Sequence, residues 1–299
     1  MSSKVMTMKE AISKNVKSGD LLFVGGAQHG SPNAAVHEIV RQRIDHLTLI
    51  ALLSNTGILI GEGLVDTLLT GYYQLDEKRS YGLQRAKANG KMPVVKEYSH
   101  FGIAQALYAG YMGVPFMPTK SQIGSDMPKY NDNIKSITCP FTGEKLGVIR
   151  AVVPDVGILH VQRCDAEGNA QRWGTLGVDH EGINASKKII ITTEKIVDGD
   201  VIRRDPNRTI IPGFRVNAVV EQPFGAYPVH LAGCYNDGPN TFGAMQDEEA
   251  WKKNLKEAVT GVKDWNEYLE NLKKLNGTDF LDKLKIKNPA MSEPVITGI

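Results

Sequence analysis

The chain is poor in the features that mark several protein classes. It holds three cysteines, Cys139, Cys164 and Cys234. They are far apart and odd in number, which gives neither a disulfide framework nor a CxxC metal spacing and fits a reducing cytoplasm. No run of about 18 apolar residues occurs, so no membrane-spanning helix is expected. The opening residues, MSSKVMTMKEAISKNV, lack the apolar centre of a signal peptide. Charge of one sign is missing as well. Lys and Arg number 35 against 33 Asp and Glu, a formal net charge of +2. Neither a basic field for nucleic acid nor an acidic scaffold tail follows from that balance. None of the seven histidines stands in HExxH or a comparable ligand spacing, so no metal is expected. There is no GxSxG elbow and no Walker GK[ST], which disfavours an α/β-hydrolase and an NTPase. What remains is ordinary for a globular chain: 41% hydrophobic and 23% charged residues over 299 positions, enough to bury a sizeable core.

The pattern of apolar residues is that of alternating helices and strands. Thr7 and Glu10 have the spacing of a capping box, opening a helix with Ala11, Ile12 and Val16 on one face. Leu21–Val24 and 47–52 read as strands, LVDTLL (64–69) as a short helix, and PVVKEY as a strand. Residues 100–112 form a helix with Ile103, Ala106, Leu107 and Tyr111 inward. The runs 146–153, 156–163 and 189–193 read as interior strands, with a hairpin around Glu167-Gly168, and 216–223 as one more. From Asp247 the chain turns helical and highly charged. No repeat, low-complexity segment or linker divides it. The expected fold is a single α/β domain over 1–299: an open, mainly parallel, twisted sheet covered by helices, with a helical C-terminal extension from about 245 to 299.

One stretch, LLFVGGAQHGSPNAAVHEIV, joins a strand to a helix through a glycine turn, with Ser31 as N-cap and Pro32 at the first helical position. Such turns hold phosphates or oxyanions, or simply make tight corners. Gly25-Gly26…Gly30 is not GxGxxG, and no acidic residue closes the next strand, which removes the dinucleotide. His37 reads as a solvated helix residue, His160 as a satisfied core histidine, Glu77-Lys78-Arg79 as an exposed face, and the cysteines as buried small hydrophobes.

Several blocks taken together resemble the A subunits of class I coenzyme A-transferases, glutaconate CoA-transferase above all. They are VGGAQHGSPNAAVHEIV, VMTMKEAISKNVKSGD, GVPFMPTKSQIGSDM, HVQRCDAEGNAQRWG, VIRRDPNRTIIPGFRVNAVVEQPFGAYP and WNEYLENL. The resemblance implies an open α/β subunit that packs with a B subunit into an A2B2 or larger assembly in the cytoplasm. It implies coenzyme A and acyl-CoA as substrates, with no permanently bound cofactor. The partner's glutamate attacks the thioester, giving an acyl–glutamyl anhydride and then a glutamyl–CoA thioester. Each step passes through an oxyanion, for which backbone N–H groups are suited.

Carried over by position, Gly25, Gly26, Ala27, Gln28 and His29 are the expected oxyanion or acyl-binding turn. Ala27 replaces an aromatic, and Gln28-His29 at the apex either touch substrate or stand as loop residues. Gly124, Ser125 and Asp126 match a GSG-type turn, and Gly225 to Tyr227 a GAH-type segment, with Tyr227 in place of histidine. Residues 72–80 depart from the family's serine-bearing stretch and offer Gln74 and Asp76 as substrate contacts. Glu97 and His100 flank Tyr98-Ser99; Glu97 is the candidate base if burial raises its pKa. Two rival readings keep or change the class: a CoA-thioester hydrolase or decarboxylase of the same family, and a non-catalytic metabolite-binding or regulatory protein, since the wider fold also occurs in sugar-phosphate binders.

Overall fold

In a computed structural model the described residues are 3–27, 29–53, 55–72, 81–239 and 247–287. Gln28, Gln74, Asp76 and Glu77-Lys78-Arg79 lie outside them. The Thr7–Glu10 capping box forms in full at the start of α1 (Met8–Asn15). The chain then alternates through β1 (Leu21–Val24), α2 (Asn33–Arg41), β2 (Leu47–Ala51), α3 (Gly57–Gly61), β3 (Val65–Thr70), α4 (Tyr81–Ala88), β4 (Val94–Glu97) and α5 (His100–Met112). Strands β1 to β4 pair in parallel, each beside the next. LVDTLL is therefore strand where a helix was expected. The helix lies just before it, and Gly63, at φ +69°, turns the chain out of the helix toward the slot beside β2. Sheet pairing overrides the local preference of so short a segment.

A second, smaller sheet follows. It consists of β5 (Phe116–Thr119), then, after the short α6 (Met127–Tyr130), β6 (Ile134–Thr138) and β7 (Lys145–Arg150), antiparallel in the order β5-β7-β6. The run 146–153 thus does not enter the parallel sheet as expected. Its Ile149, with Ile134, packs onto Ile103, Ala106 and Leu107 of α5, so a short apolar run here marks a covering sheet.

The chain returns to the main sheet with β8 (Val156–Asp165), which carries a hairpin into β9 (Ala170–Gln171). Then come α7 (Asp179–Ala185), β10 (Lys188–Val197), α8 (Gly199–Arg203), β11 (Thr209–Ile211) and β12 (Ala218–Glu221). β8 lies parallel to β1 on one side and to β10 on the other, and β12 extends beyond β10. The strand order thus runs outward in both directions from the β1–β8 pair. That boundary is a topological switch point, where the loops leaving the carboxyl ends of the strands diverge and leave a crevice.

The helices α9 (Glu248–Leu255), α10 (Trp265–Asn276) and α11 (Phe280–Leu284) do not stand apart from this body. Trp251, Trp265, Tyr268 and Leu281 join the same core cluster as α1, α2 and the first strands. α2 is consequently buried from Asn33 to Val40. This corrects the solvated reading of His37, whose ring sits edge-on to Trp265 at 5.0 Å and whose pKa burial lowers to about 4. Among the described residues no helix is long and apolar enough to cross a membrane.

Candidate functional site at the switch point

The glycine turn begins where β1 ends, at the switch point. Both glycines are required by close approach. A Cβ on Gly25 would stand 2.5 Å from Leu159 Cδ1, and one on Gly26, at φ +100°, 2.5 Å from the Ser31 Cα. Their amides are engaged within the chain. Gly25 N–H donates to Ile158 O at 3.0 Å, and Gly26 N–H to Asp179 Oδ1 at 2.8 Å. The expectation that these two amides face an acyl group is corrected accordingly: they hold a tight corner. No described residue accepts from the Ala27 or His29 amide. Ser31 does not cap α2, which starts after Pro32. Its hydroxyl bonds Gly26 O and accepts from Asn55 N–H, tying the turn to the loop after β2.

Beneath the turn is a buried ion pair that local sequence does not announce. Arg172 and Asp179 are 3% and 1% exposed, with Nη2 and Oδ2 2.8 Å apart. Arg172 also donates to the carbonyls of His160 (2.6 Å) and His29 (3.1 Å). Burial pushes the Asp179 carboxyl up, against the pull of Arg172 and of the Gly26 N–H. His29 is buried, with Nε2 2.6 Å from Thr175 O. Since a carbonyl only accepts, Nε2 carries the proton and Nδ1 is left bare. Burial, and then the charge of Arg172, lower its pKa to about 4, so the ring is neutral near pH 7. His160 is the satisfied core histidine expected, held by Thr192 Oγ1 and Glu194 Oε1, each at 2.8 Å. Glu194 in turn receives Tyr235 O–H and Phe224 N–H.

Phe224 opens the segment that includes Gly225 and Tyr227. Gly225 packs on His160, its O accepts from Ala34 N–H, and Asn33 Nδ2 reaches the Ala226 and Tyr227 carbonyls. The structure thus joins this segment to the glycine turn through the start of α2. The Tyr227 side chain is turned into the core. It is 5% exposed, with its ring 6.3 Å from both Tyr268 and Phe280, so its reading as a substrate contact is corrected to a core role.

The other candidates gather at a second point, the carboxyl ends of β3 and β4. Glu97 is exposed at the end of β4, and its carbonyl accepts from Asn131 Nδ2. The expected buried base is therefore a strand-end carboxylate in this chain. His100 starts α5, exposed, its ring 5.5 Å from Tyr72. Gly124, Ser125 and Asp126 are exposed. Ser125 Oγ donates to Gln122 O, and Asp126 pairs with Lys129 at 2.6 Å. Gln122, which sequence reasoning passed over, links the two loops: its Oε1 accepts Ser99 N–H at 3.0 Å. No sequence signal singles it out. Along the same helix, Phe101, Tyr108 and Met112 of α5 are 60%, 42% and 55% exposed. Their spacing puts them along one face of the helix, an apolar surface left open in the single chain.

A model of the coenzyme A transferase family matches residues 5–222. The A subunit of the 3-oxoadipate CoA-transferase of Pseudomonas knackmussii is 34% identical over 275 residues, covering 89% of this chain and 97% of the relative. The A subunit of the glutaconate CoA-transferase of Acidaminococcus fermentans is 34% identical over 296 residues, covering 90% and 92%. The crystal structure of glutaconate coenzyme A-transferase from Acidaminococcus fermentans superposes with a TM-score of 0.86 at 32% identity, over 98% of both chains.

Proposed function

The chain belongs to the coenzyme A transferase family, and on that premise we propose that it is the A subunit of a two-subunit enzyme. This enzyme moves coenzyme A between an acyl-CoA and a small dicarboxylic acid. The observation that carries the reading is likeness along nearly the whole chain to two A subunits, whose names specify 3-oxoadipate and glutaconate, both dicarboxylates. The open apolar face of α5 supports a protein partner.

The nucleophile belongs to that partner. Two carboxylates of the switch-point region are tied within this chain: Asp179 to Arg172 and Gly26 N–H, Glu194 to His160, Tyr235 and Phe224 N–H. The B subunit's glutamate attacks the thioester carbonyl, expelling coenzyme A thiolate and leaving a mixed anhydride. The thiolate then opens the anhydride at the glutamyl carbonyl and frees the first acid. The acceptor carboxylate repeats the sequence in reverse. The part of this chain is to wall the crevice at the switch point. With the Gly25 and Gly26 amides spent, the amides of Ala27 and His29 are, among the described residues of the turn, the ones left to meet an oxyanion. Neutral His29 adds no charge that would tie up the partner carboxylate in the ground state.

Co-expression with the B subunit, followed by assay of an acyl-CoA with a series of acceptor acids, tests the proposal. Transfer requiring both chains, with ping-pong kinetics, is expected. Release of free coenzyme A without any acceptor acid would instead favour the hydrolase or decarboxylase reading.

A further inference from the structure

We infer that the first turn of α5, with the Gln122 carboxamide laid over it, is a seat for a carboxylate, namely the second, non-reacting carboxylate of the acid substrate. The inference rests on the transferase reading only for the identity of that acid. α5 has 13 residues and a satisfied N-cap: Ser99 Oγ takes Gly102 N–H at 3.0 Å and Ser99 O takes Ile103 N–H. Among the described residues, none accepts from the amides of His100 and Phe101, which stand at the positive end of the helix.

Gln122 supplies an independent sign of a ligand. It is 9% exposed, and one end of its amide is used, Oε1 accepting Ser99 N–H. The other end, Nε2, is buried without an acceptor among the described residues. It lies against the first turn, since a Cβ on Gly102 would stand 2.4 Å from it. A buried donor without a partner is uncommon in a folded protein and calls for an acceptor. Gly71 lets the end of β3 pack close against the turn: a Cβ there would lie 2.8 Å from the His100 Cα and 2.9 Å from its N. The exposed His100 ring stands at the mouth, beside Tyr72. Two acidic groups are close in sequence. Asp126 is neutralised by Lys129, and Glu97 is exposed to water.

β1 to β4 are parallel, so this seat and the glycine turn open from the same edge of the sheet. An acid with a carboxylate at each end presents one to the reacting thioester and the other to α5. An acid with one carboxylate leaves the seat empty.

The test uses the A–B complex carrying Gln122→Glu, with Gln122→Leu beside it. Gln122→Glu keeps the shape and the acceptor for Ser99 N–H, so it folds, while the donor becomes a negative oxygen. With one acyl-CoA donor, KM is measured for succinate, glutarate and adipate against butyrate, and direct binding of the same four acids is followed by calorimetry. For the best dicarboxylate, KM and Kd are expected to rise at least about tenfold, the loss of one charge-assisted hydrogen bond. The change for butyrate, which has no second carboxylate to reach the seat, should be several-fold smaller. Equal changes for dicarboxylate and butyrate, no change in either, or no dicarboxylate binding to the wild-type complex overturns the seat. If the wild-type complex transfers no coenzyme A yet binds a dicarboxylate that Gln122→Glu releases, the transferase reading fails and the seat stands.

Discussion

Replacing Arg172 with leucine probes how the switch point is held. The guanidinium is fully buried, 2.8 Å from Asp179 Oδ2, and bonds the His160 and His29 carbonyls. Its loss leaves a buried carboxylate whose remaining described donor is Gly26 N–H. Breaking such a pair by removing one partner costs about 3–5 kcal/mol. Burial already raises the Asp179 pKa with Arg172 present, and without it the carboxyl rises further. A carboxyl with a raised folded-state pKa binds more protons folded than unfolded, so the variant gains stability relative to wild type as pH falls. That gain develops from the folded pKa downward and is complete below the unfolded value of about 3.9. Urea unfolding of Arg172→Leu, Asp179→Leu and the double variant at pH 7.5 and 5.5 measures all of this. The double variant should be less destabilised than the sum of the singles, with a coupling of about 2–3 kcal/mol, larger at pH 7.5. Additivity within about 0.5 kcal/mol, or a cost below about 1 kcal/mol for Arg172→Leu, would refute the reasoning.

His37 titrates in the opposite sense. Its folded pKa is about 4 against 6.5, so the unfolded chain binds the proton first, and stability falls as pH drops from 6.5 to 4. The shift amounts to about 3 kcal/mol at 1.36 kcal/mol per unit. Thermal melts of His37→Phe should show a shallower decline over that window than wild type, and parallel curves would contradict the burial argument. On α5, Phe101→Glu with Met112→Glu should leave the melting temperature of the isolated chain within about 2 °C, since both side chains are exposed. The same pair should abolish co-purification with the B subunit. Retained association would show that the apolar face serves some other contact.

The alternating sheet, the capping box and the C-terminal helices were legible because each is written in local periodicity. The small antiparallel sheet was not: an apolar run such as 146–153 reads the same whether it ends in a parallel interior or in a covering sheet. His37 was misread because the side chains that bury it, Trp265 and Tyr268, come more than two hundred residues later. The position of the glycine turn could be read from its pattern. The use of its amides could not, because Asp179, which takes the Gly26 N–H, is fixed by Arg172 rather than by any motif. Tyr227 followed the family's segment in sequence but turned into the core. Gln122 escaped notice because only the fold lays it over α5.

The most direct test of the division of labour between the two chains is the fate of the partner's glutamate. The A–B complex is incubated with an acyl-CoA, quenched with hydroxylamine or borohydride, and both chains are read by peptide mass spectrometry. The account predicts one modified glutamate on the B subunit, none on this chain, and no modification when this chain is omitted. Modification of Glu97, or coenzyme A release with no modified glutamate on either chain, would contradict it.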